Sequence, residues 1–152
     1  MLGLLLELRR AEEPGLVGPT SLGEALTRTG RFARRSGLVL VISDFRGTRD
    51  WRRPMLDLAG RHDVVAVEVR DPREQSLPDV GDLALVDPET GRQLRVDTRN
   101  AKLRARFAAE AEAERAALAA ALVRLGTQHV VLSTSGDWLR PFASFLRRGA
   151  SR

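Results

Sequence analysis

Leu38-Val39-Leu40-Val41-Ile42-Ser43-Asp44-Phe45 decides the fold of this chain. An uninterrupted run of β-branched and leucine residues, Leu38 to Ile42, stops abruptly at a hydroxyl and a carboxylate. Unbroken apolar strands belong to parallel sheets with helices over both faces, whereas a half-exposed strand alternates. Ligands in such sheets gather beyond the carboxyl ends of the strands, which is where Asp44 falls.

Two more runs fit the same reading: Val64-Val65-Ala66-Val67-Glu68-Val69 and His129-Val130-Val131-Leu132-Ser133. Between them lie helical patterns. Ser21-Leu22-Gly23-Glu24 is a capping box, with Leu22, Ala25, Leu26, Thr29, Phe32 and Ala33 as the apolar stripe behind it. Asp50 reads as the N-cap of a helix that holds Pro54 in its first turn and stops at Gly60. The longest helix is expected from about Thr98 to Leu125, with Leu103, Phe107, Ala111, Leu118 and Leu122 on its inner face. Leu83–Val86 and Gln93–Val96 flank the turn-rich Asp87-Pro88-Glu89-Thr90-Gly91 and read as a small hairpin. Asp137-Trp138-Leu139-Arg140-Pro141 echoes Asp50–Pro54, which suggests one recipe used twice: Asp as N-cap, Trp over the sheet edge.

Strand and helix in alternation predict an α/β fold in three layers, with a mainly parallel sheet and a small hairpin. The 152 residues suit a single domain, with 1–17 as a helical lead-in, 18–148 as the core and 149–152 as a tail. The lead-in centres on a helix over Leu2–Arg10.

Composition narrows the chemistry. With no cysteine there is no disulfide, thiol catalysis or thiolate metal site. The apolar runs are too short to span a bilayer, and the first residues lack the basic start of a secretory signal, so a cytoplasmic protein without membrane contact is expected. The net charge of +5 and pI of about 11.2 point superficially to nucleic acid. Lys102 is the only lysine, however, and the arginines are scattered among alanines and leucines. Arginine never titrates in range, so the high pI follows almost automatically. A solvated surface explains these charges better than a nucleic-acid patch.

Both histidines, His62 and His129, open or precede strands, the wrong end of a parallel sheet for catalysis. No Walker-type or Gly-x-Gly-x-x-Gly loop follows a strand. That leaves Asp44, Asp71 and Asp137 on the carboxyl side. Turn formation and capping account for Asp71 and Asp137, while Asp44 has no evident cap role.

Gly18-Pro19-Thr20-Ser21-Leu22-Gly23-Glu24 followed by Val39 to Asp44 resembles the later half of a von Willebrand factor A-type domain. A closer resemblance is to the bacterial proteins catalogued as domain of unknown function 58. It is carried by Leu40-Val41-Ile42-Ser43-Asp44-Phe45, by Val69-Arg70-Asp71-Pro72-Arg73-Glu74 with Leu77-Pro78, and by Asp87-Pro88-Glu89-Thr90-Gly91. It extends from Gly18 to Arg147.

The resemblance implies a non-enzymatic adaptor or chaperone-like module that partners a MoxR-type AAA+ ATPase. It also implies Thr20 and Asp44 as ligands of a Mg²⁺ site. The Asp-x-Ser-x-Ser motif of such sites is absent, so the chain corresponds to the carboxyl-terminal half of the domain. Magnesium needs near-octahedral oxygen coordination, and two ligands predict no tight binding unless a further segment completes the site.

The expected interaction surface is the carboxyl rim: Asp44, Phe45, Asp50, Asp71, Arg73, Glu74 and Asp137. Two alternatives stand beside it. One is a Mg²⁺-dependent phosphoester hydrolase built on Asp44, Asp71 and Asp137; the other is nucleic-acid binding through the arginines. The strand Leu38–Ile42 is also expected to expose an apolar edge, covered by a second copy of the chain or by Leu4–Leu8.

Overall fold

The computed structural model describes residues 21–86 and 93–149. The expectations for Leu2–Arg10, Leu4–Leu8, Gly18–Thr20 and Asp87–Gly91 lie outside the described residues.

Three strands form a parallel sheet in the order β1 (Leu38–Ser43), β2 (Asp63–Arg70), β5 (Gln128–Ser133). A separate antiparallel pair, β3 (Asp82–Val86) and β4 (Gln93–Asp97), makes the expected hairpin. Among the described residues four helices accompany them: α1 (Leu22–Phe32), α2 (Arg52–Ala59), α3 (Ala101–Arg124) and α4 (Leu139–Gly149). The α/β class and the parallel sheet are as the apolar runs predict.

Strand β2 is central, and five consecutive residues, Val64 to Glu68, are buried. Its even-numbered side chains, Val64 and Ala66, join the larger core with Val41, Leu26, Trp51, Met55, Leu58 and Leu122, beneath α1, α2 and α3. Its odd-numbered ones, Val65 and Val67, join Val130 under Phe142 and Phe145 of α4. The alternation of side chains across a strand produces this division. One layer is thick and the other thin.

The sheet is staggered. β1 pairs with β2 from Leu38–Asp63 onward, whereas β5 pairs only from Val65–Gln128 onward. His129 therefore lies level with Ala66, in the middle of β2. The expectation that it marks the amino edge is corrected: a strand's first residues sit at the sheet's edge only where strands start level.

The repeated Asp-Trp segment also resolves into two different things. Trp51 closes a 3-10 turn at Arg49–Trp51 and is almost fully buried, its ring edge-on to Phe45 at 5.4 Å. Trp138 is half exposed. Asp50 is not the N-cap of α2; it sits inside the turn and accepts a hydrogen bond from the Ser21 hydroxyl at 2.6 Å. Asp137 does act as a cap, accepting from the Arg140 amide.

The hairpin is anchored by Thr98, whose buried hydroxyl donates to the Gly81 carbonyl at 2.7 Å and accepts from the Val80 amide at 3.0 Å. Asn100 then caps α3 by accepting from the Lys102 and Leu103 amides. The helix has 24 residues, roughly 36 Å at 1.5 Å per residue, against roughly 20 Å for the six residues of β5. Only its last turns reach the core, at Ala121 and Leu122. Its first half overhangs the carboxyl end of the sheet.

Candidate functional site

Each parallel strand ends in a polar residue that folds its own loop. Ser43 Oγ accepts from the Phe45 amide and Asp44 Oδ1 from the Arg46 amide. After β2, Asp71 Oδ1 accepts from the Arg73 amide; after β5, Ser133 Oγ accepts from the Ser135 amide. A side-chain oxygen two residues behind an amide closes a tight turn and stands in for the backbone partner the strand has lost. Phe45, at φ 55°, sits in the left-handed region that non-glycine residues rarely adopt. That conformation turns its ring back under the sheet onto Trp51.

The turn after β1, the carboxyl end of β2 and the middle of α3, from Phe107 to Leu118, line a cleft of about 490 Å³. Glu68, Val69 and Arg70 form its floor. Asp44 to Gly47, with Arg49 and Arg52, make one wall; Phe107, Glu110, Ala111, Glu114, Arg115 and Leu118 of α3 make the other. Glu74 and Gln75 close one end, with Glu74 held to Arg46 at 2.7 Å.

The floor carries a buried carboxylate with two partners, Arg70 and His129. Glu68 is 4% exposed and sits within an otherwise apolar strand. Its Oε1 accepts from Nε and Nη2 of Arg70 at 3.0 and 2.7 Å, and its Oε2 lies 2.9 Å from Nε2 of His129. Burial alone would push the carboxyl up. The His129 hydrogen bond and the Arg70 guanidinium overcome that and hold it below the ordinary carboxylate range.

Of the residues expected at the interaction surface, Asp44 and Glu74 meet at this cleft. Phe45 lines the cleft too, with its side chain 7% exposed and its ring packed edge-on to Trp51. Asp50 faces α1 instead. Its carboxyl is held below the ordinary range by the Ser21 hydroxyl, against a burial cost, with the Thr48 hydroxyl and the Gly23 amide adding to the effect. Asp71 and Asp137 close separate turns, and Arg73 is exposed outside the cleft. Thr20 lies outside the described residues.

Among the described residues no group of three or more His, Asp or Glu side chains is placed to hold a metal ion. No helix among them is long and apolar enough to cross a membrane.

Sequence reasoning missed Glu68, Arg70 and His129 as a unit, and with them Arg49, Arg52, Glu110 and Glu114. A signal for Glu68 was present, since a charge inside an unbroken buried strand demands a partner. The partner stands 61 residues away, and nothing local points to it.

Comparison with known proteins agrees with the resemblance to domain of unknown function 58. The chain is 42% identical over 134 residues to the uncharacterized protein MAV169 of Mycobacterium avium, covering 85% of this chain and 78% of that one. At the same identity and the same share of this chain it matches the uncharacterized proteins Mb1516 of Mycobacterium bovis and Rv1480 of Mycobacterium tuberculosis. It spans 41% of their length. No solved structure matches the chain. The family model described as "Protein of unknown function DUF58" matches residues 1–117, and the chain belongs to that family.

Proposed function

We propose that this chain is a non-enzymatic interaction module and that the rim cleft is where it grips its partner. One observation carries the reading: the two walls have opposite charge and do not neutralise each other. On the loop wall Arg46, Arg49 and Arg52 outnumber Asp44, and on the helix wall Glu110, itself bonded to Arg106, and Glu114 outnumber Arg115. Among the described residues no ion pair joins one wall to the other. A segment entering the cleft would complete both walls at once, offering carboxylates to the arginines and cations to α3. Charge complementarity of this kind sets register and speeds encounter more than it adds raw affinity. The rim aspartates support the same reading. Asp44, Asp71 and Asp137 each serve a separate turn, so the hydrolase alternative lacks a converging carboxylate set.

The resemblance supplies the partner, a MoxR-type AAA+ ATPase. Isothermal titration of this chain with the MoxR-type ATPase of the same organism tests the proposal. Binding is expected, and Arg49→Glu should weaken it about tenfold or more by setting like charges against each other. Absence of binding, or affinity untouched by both Arg49→Glu and Glu114→Arg, overturns it.

A further inference from the structure

The scatter of arginines along the sequence hides an uneven distribution of charge. Residues 21–62 hold nine arginines against four carboxylates, which is the whole of the net charge of +5. The rest of the chain sets sixteen basic residues against sixteen acidic ones. The fold concentrates the excess further. Arg28 and Arg31 stand on the outer face of α1, lining a shallow depression with Pro54 of α2. Arg34 and Arg35 follow where the chain turns off the helix, the Arg34 amide donating to the Phe32 carbonyl at 2.9 Å. Arg61 arrives from beyond α2 and donates through Nη2 to the Gly30 carbonyl at 3.3 Å, in the last turn of α1. All five are exposed around the carboxyl end of one helix.

Nearby carboxylates do not neutralise them. Among the described residues none of the five makes an ion pair. Asp57 is held by Arg53 and Asp50 by the Ser21 hydroxyl, while Glu24 and Asp63 pair with none of the five. One or two cations at a helix carboxyl end answer the helix dipole, but like charges three residues apart, as at Arg28 and Arg31, are unfavourable. Five such arginines exceed what the dipole accounts for. In their midst is Phe32, 72% exposed, a large apolar ring one helical turn on from Arg28.

We propose that this end of α1 binds a single strand of nucleic acid, the arginines holding its phosphates and Phe32 stacking on a base. This goes beyond the rim cleft and does not depend on it. A guanidinium meets a phosphate with two parallel N–H donors, and an exposed aromatic ring accepts any unpaired base on its face. An acidic polypeptide would satisfy the arginines and leave the ring idle. A duplex keeps its bases stacked away from such a ring. Phosphate contacts and stacking carry no sequence information, so the binding discriminates strand from duplex and not one base order from another.

Fluorescence polarisation of a labelled oligothymidylate of about 15 nucleotides, titrated with the full chain over a range of salt, is the test. Five contacted phosphates on a single strand predict a log–log salt slope of about −3.5. Arg31→Gln and Arg35→Gln should each bring that slope about 0.7 closer to zero. Arg140→Gln, on α4 across the sheet, should leave it unchanged. Phe32→Ala should weaken binding about fivefold or more without altering the slope, because the ring carries no charge. That side chain already meets solvent, so the circular dichroism of the variant should match the parent. No binding at low salt, a slope indifferent to Arg31→Gln, or an affinity indifferent to Phe32→Ala overturns the proposal. Equal affinity for polyglutamate or for phosphatidylglycerol vesicles also overturns it, and would assign the face to an acidic polypeptide or a lipid surface.

Discussion

Glu68 shows how one side chain can organise a site that its neighbours in sequence do not announce. Desolvation opposes its ionised form, and only the convergence of Arg70 and His129 makes the buried carboxylate tolerable. The sign of the linkage follows. A carboxyl whose folded pKa lies below the ordinary glutamate value of 4.5 contributes stability that is fully present above that value and is lost as pH falls through the folded pKa. The urea midpoint of the chain should therefore decline on acidification below about pH 4.5. Glu68→Gln should be less stable at neutral pH by about 1–3 kcal/mol and show a shallower acid decline. An acid profile identical in the two proteins would remove Glu68 as its source. The rim aspartates behave differently. Asp44, Asp71 and Asp137 close turns at the surface, where an alanine would cost only the turn.

Among the elements, α1 is placed by its first turn. Ser21 accepts from the Glu24 amide at 3.0 Å and donates to Asp50, so one hydroxyl both caps the helix and ties it to the loop after β1. Gly23 permits this approach: a Cβ there would lie 2.8 Å from Asp50 Cγ and Oδ2 and 3.0 Å from its backbone carbon. Alanine is the better helix former by about 1 kcal/mol, but the overlap with a backbone atom costs about 1–3 kcal/mol. Gly23→Ala should consequently lower the melting temperature by about 2–6 °C, whereas Gly37→Ala, which meets no neighbour within 4 Å, should not. Calorimetry of the two variants checks the contrast. This scale also shows what the sequence makes legible. The three parallel strands were readable because Leu38–Ile42 and Val64–Val69 are too uniformly apolar for a half-exposed sheet, and α1 was readable from Ser21 and Glu24. The cleft was not, because it depends on the two-residue stagger of β5 and on how far α3 overhangs, and both are set by packing across the fold. Trp51 and Trp138 make the same point: each follows an Asp and precedes a Pro by three residues, yet one is 1% and the other 51% exposed.

In the molecule as a whole, one sheet separates two cores of unequal size. The face under α1, α2 and α3 holds Trp51, Met55, Leu58 and Leu122, all at most 1% exposed. The face under α4 buries Val65, Val67 and Val130, closed by Phe142 and Phe145, which remain partly exposed. Stability follows buried apolar area, so α4 should detach in a sub-global opening well below the free energy of complete unfolding. Leu122→Ala removes packing on which the whole sheet depends and should cost about 2–5 kcal/mol, lowering the protection of β2 and α4 amides together. Phe142→Ala should instead act locally, raising exchange throughout α4 by at least tenfold while β2 amides keep most of their protection. Native-state hydrogen exchange distinguishes the two cases directly. Equal loss of protection in α4 and β2 upon Phe142→Ala would mean that both layers open as one unit. The thin layer would then be an integral part of the cooperative fold, despite its few buried residues.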